Sequence, residues 1–286
     1  MGTLEHLAQQ YLTARSGELL AITRSSARST LLIFATSYGN RPLDKLGQAA
    51  IRRWLAQRSG LKPSTMATQW SQVSTFLDWL VRKGKIRVNP MLDMKAPRRP
   101  RTEPRTIEPG DITAILTAAP DARARAIVML EWGMGARRVE VHRVNVEDWS
   151  RRGGVMRLMG KGGHEREITV PRYAAHAFNA YLSEYPASVG PFFRSYTRPH
   201  VRLSVSAIGH YVAQWMIDAG VKQSPHDGLA GHSLRRTCAS ELLDETGDIR
   251  TVQEVLGHAH LSSSAPYLRR MNRLKMRDAM ETRRVA

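Results

Sequence analysis

The stretch Lys95–Arg105, KAPRRPRTEPR, limits the folds open to this chain more than any other segment. It packs three prolines and five basic side chains into eleven residues. Proline lacks the backbone N–H that a helix interior or a central strand needs, so neither element runs through it. The chain is therefore expected to form two bodies, residues 1–94 and 107–286, joined by an extended basic linker over 95–106. Its 286 residues suit that division at about 100–200 residues per domain.

Apolar spacing sets the character of each body. Leu4, Leu7, Ala8, Tyr11 and Leu12 share one helical face, as do Leu31, Leu32, Phe34, Ala35 and Tyr38. Ile51, Trp54 and Leu55 mark a third helix. Met66, Trp70, Val73, Phe76, Leu77, Leu80 and Val81 mark a fourth, with Ser64 expected as its cap and Gly84 as its stop. The first body is thus predicted to be a helical bundle. In the second, helices are expected after Pro109-Gly110-Asp111 and over Ala122–Trp132. Strands are expected over Val144–Trp149, Val155–Met159 and Arg166–Val170, with glycine-rich turns between them. Helices then resume over Arg172–Tyr185, Ser204–Ala219, His232–Thr246 and Asp248–Leu256, and again from Ser263. The predicted fold class is mainly α with a small antiparallel β-sheet, a bundle followed by an α+β domain.

The formal net charge is +18. Residues 1–104 hold 17 Lys and Arg against 6 Asp and Glu, and the remainder holds 26 against 19. An excess spread over both bodies favours a polyanionic partner, nucleic acid before anionic lipid. Arg98, Arg99, Arg101 and Arg105 of the linker would lie well against phosphates. No run of about 18 apolar residues exists, and the N-terminus lacks the basic start and apolar block of a signal peptide. Cys238 is the one cysteine, which rules out an internal disulfide and a Cys-rich zinc site. These features suggest a soluble protein of a reducing compartment, the cytoplasm.

Several short motifs carry candidate chemistry. Gly135-Ala136-Arg137-Arg138-Val139-Glu140 follows an apolar helix, and Glu140 stands where it can fix an arginine fork suited to phosphate. Lys161 occupies a Gly-flanked turn in a chain with 35 Arg against 8 Lys. Lysine can be tuned to give up a proton and arginine cannot, so a lysine kept there suits a proton donor. His232 and Arg235 lie three apart at a helix start, where free N–H groups favour a phosphate. Leu256-Gly257-His258 closes another helix, with Tyr267 nine residues further on. His258 and His260 have no acidic or Cys ligand at convincing spacing, so no metal site is expected.

In this order, G-x-R-x-x-E, a hairpin G-K-G, H-x-L-R, and L-G-H with tyrosine nine residues later, the sequence resembles the tyrosine recombinase (phage integrase) family. The motifs cover the chain from about Ile107 onward, and the bundle and linker match by organisation. Arg236 stands where the family often has a second histidine, and Pro266 before the tyrosine departs from the usual pattern. The resemblance implies a site-specific DNA recombinase that cuts and rejoins strands through a covalent 3′-phosphotyrosyl link. Arg137, Lys161, His232, Arg235 and His258 would serve Tyr267, the nucleophile, with Glu140 in support. It further implies neither metal nor ATP, a double-stranded core site, and a homotetramer on two duplexes, with any accessory bending protein left open. The bundle starts near residue 1, so a simple type without an arm-binding domain is expected, serving a phage or mobile element. A type IB topoisomerase, a non-catalytic DNA-binding regulator and an arginine-rich RNA-binding protein are the alternatives.

Overall fold

A computed structural model describes residues 3–17, 21–98, 105–160, 163, 165–224 and 227–257. The chain divides into two compact units, residues 1–102 and 103–286.

In the first unit, helices α1 (Leu4–Ala14), α2 (Ala21–Tyr38), α3 (Gln48–Ala56) and α4 (Pro63–Arg82) form the bundle. Thr3 caps α1 by accepting from the His6 N–H at 3.3 Å. The buried faces are those the spacing predicts: Leu7, Tyr11, Leu31, Phe34, Ile51, Trp54, Val73, Phe76, Leu77 and Leu80 form one core. Phe34 meets Trp54 edge-on at 5.4 Å, and Tyr11 meets Phe76 at 5.4 Å. The expected Ser64 cap is not used. Lys62 stands at the N-cap and Pro63 takes the first turn, where its preset φ and missing N–H are no handicap. Gly84 ends the helix region in the left-handed conformation (φ 64°).

The second unit continues with α5 (Pro109–Ala118), α6 (Ala122–Val128), α7 (Arg138–Arg143), α8 (Arg172–Glu184), α9 (Val205–Asp218), α10 (Gly231–Thr246) and α11 (Ile249–Leu256). A meander β1 (Trp149–Ser150), β2 (Val155–Met159) and β3 (Glu165–Thr169) lies between α7 and α8, with both strand pairs antiparallel. Met159 pairs with Glu165 at the end of the β2–β3 ladder. The core runs through Ile127, Leu130, Val141, Met156, Leu158, Phe178, Tyr181, Phe192, Ile208 and Val212.

Two elements differ from expectation. The helix predicted to run to Trp132 is α-helical only to Val128 and then widens into a π-turn over Met129–Gly133. The strand predicted over 144–149 shrinks to β1. Val144 and Val146 instead bond to the segment at Gly190–Phe192, and Asp148 accepts from the Asn145 N–H at 2.9 Å, winding 146–148 into a 3-10 turn. No helix among the described residues is long and apolar enough to cross a membrane.

Candidate active site

The site grows from the junction between the π-turn and α7. Gly135 sits there with φ 60°, and a Cβ on it would meet Leu256 Cδ2 at 2.4 Å and Cys238 Sγ at 3.2 Å. Only glycine satisfies both the backbone and that contact. The thiol of Cys238 beneath it is pushed up to about 12 by burial, with the Glu241 charge next. Arg137 then caps α7, and its own N–H donates to Glu140 Oε2 at 2.7 Å. The i,i+3 pairing expected between these two residues is present, with Arg137 Nη1 donating to Glu140 Oε1 at 2.8 Å.

Three arginines from three elements meet here. Arg137 also donates to the carbonyls of Leu256 (3.3 Å) and Gly257 (3.1 Å). Arg235, on α10, donates to the carbonyls of Gly135 and Leu256, the latter at 2.7 Å, and lies 3.8 Å from Glu140 Oε2. Arg166, on β3, grips Glu140 with both prongs, at 2.7 and 2.8 Å, while its Nε donates to Val255 O at 3.1 Å. The last carbonyls of α11 carry the negative end of the helix and suit this company. Burial pushes the Glu140 carboxyl up, but the hydrogen bonds and charge of Arg166, then of Arg137, outweigh it and hold it at about 2.

Gly257 follows α11 with φ 61°. A Cβ there would stand 2.9 Å from Arg166 Cδ, so the glycine of the L-G-H motif serves both the turn and the arginine beneath it. His232 lies in the first turn of α10 and is exposed. Partial desolvation, then the charges of Arg138, Arg235, Arg236 and Arg137, hold it below the ordinary histidine value.

The structure thus brings Arg137, Glu140, Arg235 and the end of α11 together, with His232 in the same electrostatic field. Lys161, His258 and Tyr267 lie outside the described residues, as do Arg99, Arg101 and the helix expected from Ser263. Arg143 of α7 donates to Gly160 O at 2.8 Å, fixing the backbone one residue before Lys161. Of the linker arginines, Arg98 is exposed, and Arg105 donates to the carbonyl of Asp227.

Sequence reasoning missed Arg166, Arg143 and Glu131. Strand alternation held a signal for the first. Position 166 shares a face with the buried Ile168, and a charge on an inward face calls for a partner. Glu131 is 1% exposed, and neither oxygen has a hydrogen-bond partner among the described residues. Burial pushes its carboxyl up to about 7 against the opposing charge of Arg138.

The family model described as the phage integrase family matches residues 105–273, which include every motif above. The chain belongs to this family. It is a tyrosine site-specific recombinase. The tyrosine recombinase XerC of Proteus mirabilis is 32% identical over 227 residues, covering 76% of this chain and 72% of the relative. XerC of Vibrio cholerae serotype O1 is 27% identical over 267 residues, covering 90% and 85%. Among solved structures, a lambda integrase dimer bound to a COC′ core site matches this recombinase with a TM-score of 0.78 at 17% identity, covering 93% of this chain and 77% of that one. XerH bound to a palindromic difH substrate, in a post-cleavage complex, matches with a TM-score of 0.74 at 17% identity, covering 98% and 83%. At such identities the structural likeness speaks for the fold, which is mainly helical with one small antiparallel sheet.

Proposed function

We propose that this recombinase cuts and rejoins double-stranded DNA at a short core site, with Tyr267 as the nucleophile. The observation that carries this reading is the gathering of Arg137, Arg235 and Glu140 at the end of α11, where the L-G-H motif begins; its histidine stands nine positions before Tyr267 in the sequence. A phosphodiester repels nucleophiles through its charged oxygens. Arg137 and Arg235 receive the two non-bridging oxygens and stabilise the extra charge of the five-coordinate transition state. Arg137 is the more exposed of the two, and Arg235 exchanges a carbonyl partner for phosphate as DNA enters. His232 and His258 add hydrogen bonds, and one accepts the tyrosine proton. Free tyrosine is ionised to only about one part in a thousand at neutral pH, so a cationic pocket raises the fraction that can attack.

The phenolate oxygen bonds to phosphorus and the bond to the 5′ oxygen breaks. Lys161 protonates that oxygen as it leaves, general acid help worth about 10²–10⁴-fold. One phosphoester replaces another at nearly equal energy, so the covalent link stores what rejoining requires. A 5′ hydroxyl from a second strand reverses the step, which calls for four protomers on two duplexes in the cell interior. Arg98, Arg99, Arg101 and Arg105 line the backbone of the bound duplex.

Integration or excision of a phage or mobile element is one role open to such an enzyme. The relatives named XerC favour a second role, in a bacterium's own recombination such as chromosome dimer resolution. An inverted-repeat core site beside the gene supports the first, and one elsewhere in the chromosome supports the second. Tyr267→Phe is expected to bind DNA as before and to form no covalent adduct on a nicked suicide duplex. An adduct from that variant would refute the nucleophile assignment, and relaxation of supercoils without paired sites would favour a topoisomerase.

A further inference from the structure

The structure assigns Arg166 a task that the sequence motifs leave empty: it is the counter-ion that occupies Glu140, so that the charge of Arg137 stays available to the phosphate. This inference rests on the reading of Arg137 as a phosphate ligand.

A carboxylate and a guanidinium pair best fork to fork, with both oxygens engaged. Glu140 is 1% exposed and lies in the short helix that Arg137 caps, three residues away. A buried carboxylate demands a partner, and Arg137, at i,i+3 spacing, already touches it. Left alone, the two would close into a full pair, and the cation meant for DNA would be neutralised. The geometry shows a different division. Arg166 takes both oxygens of Glu140, at 2.7 and 2.8 Å. Side-chain contact between Arg137 and the carboxylate is limited to the single Nη1 bond to Oε1, while its Nη2 turns to the Gly257 carbonyl. The Arg137 side chain is 31% exposed against 13% for Arg166. One arginine is committed to the acid and the other faces outward.

The slot that holds Arg166 is closely fitted. Its Nε is fixed by Val255 O at 3.1 Å, and a Cβ on Gly257 would fall 3.0 Å from its Nη1 and 3.1 Å from its Nε. The hairpin strand, α7 and the end of α11 thus meet on one guanidinium. Arg166 is a positioning residue in this account, because it acts on the phosphate through Glu140 and Arg137.

The test is single-turnover formation of the covalent adduct at saturating protein. Its probe is a nicked duplex carrying a core site that the wild-type protein selects from a random-sequence pool. Arg166→Ala is expected to slow the adduct by about 10²-fold, the scale of a misplaced reacting group. Adding Glu140→Gln to that variant removes the competing charge and is expected to raise the rate again. A purely structural role for Arg166 would make the second change additive damage, so a double variant no faster than the single one overturns the inference. An Arg166→Ala rate equal to wild type overturns it too. Arg166→Lys keeps the charge without the fork and is expected to lose less than the alanine variant, and equal loss would count against charge balance. It also serves if the alanine variant does not fold. Arg137→Ala is the separate check on the underlying reading: adduct formation at the wild-type rate would refute Arg137 as a phosphate ligand, whatever Arg166 does.

Discussion

The bundle over residues 1–102 and the unit over residues 103–286 keep different things out of water. Among its described residues the bundle buries Thr30 and Asn89 as its polar members and no charged side chain. The second unit buries Arg123, Glu131, Glu140, Lys222 and Arg235. Some of these are well partnered: Lys222 meets Asp227 at 2.5 Å, and Arg123 lies over the Tyr196 and Tyr185 rings at 4.0 and 4.5 Å. Buried ion pairs bring little net stability over an apolar core of equal volume. The contrast therefore teaches that the bundle is built for cohesion. The second unit accepts the cost of desolvated charge because its chemistry needs cations held in one place.

Large-to-small changes would test this contrast most strongly. Phe76→Ala removes a ring with 0% exposure from the bundle and is expected to cost about 3–5 kcal/mol in denaturant unfolding. Glu140→Ala leaves Arg137, Arg166 and Arg235 without their shared carboxylate and is expected to cost a similar 3–5 kcal/mol or so. The two should then part company. Replacing Glu140 and Arg166 together by apolar residues is expected to recover much of the stability, and only part of the adduct formation that Arg166→Ala alone loses. No matching loss of chemistry attends a repacked Phe76. A double variant that regained the full wild-type rate would break the distinction.

Acid–base behaviour separates the units at a somewhat smaller scale. The Glu140 carboxyl is depressed to about 2, so its contribution is complete above the unfolded value of 4.5 and is lost as pH falls through 2. Glu131 has the opposite sign. Its carboxyl is raised to about 7, so its contribution is complete below 4.5 and is lost as pH rises through 7. Each limb spans on the order of 3 kcal/mol. Unfolding of the second unit is therefore expected to be hardest near pH 4–5, on the order set by those two limits. Glu131→Gln is expected to flatten the neutral limb and leave the acid limb in place. Trp132→Phe gives the smallest effect. It removes the Nε1 bond to Glu241 Oε2 at 2.8 Å and is expected to cost about 1 kcal/mol, with adduct chemistry unchanged.

How much of this was legible in the sequence follows the range of each interaction. The faces of α1 to α4 repeat every three or four residues, so local spacing was enough to identify them. Glu140 with Arg137 is an i,i+3 pair, and it too was visible. Arg166 reaches Glu140 across 26 positions, and Arg137 reaches Leu256 across 119, so spacing alone could not have paired them. The strand expected over 144–149 failed for a related reason. Its apolar alternation is real, but residues 190–192 claim the backbone of Val144 and Val146 and leave only a two-residue strand behind. Ser64 does not cap because the helix already begins at Pro63, whose ring geometry suits the first turn and leaves the N-cap to Lys62.

Cys238 has a practical consequence. It is buried beneath Gly135, and its thiol stays protonated at any pH a recombination assay would use. A maleimide dye should therefore pass it by. A single cysteine engineered on the surface of either unit would take the label without background, and fluorescence could then report how the protein closes on a duplex.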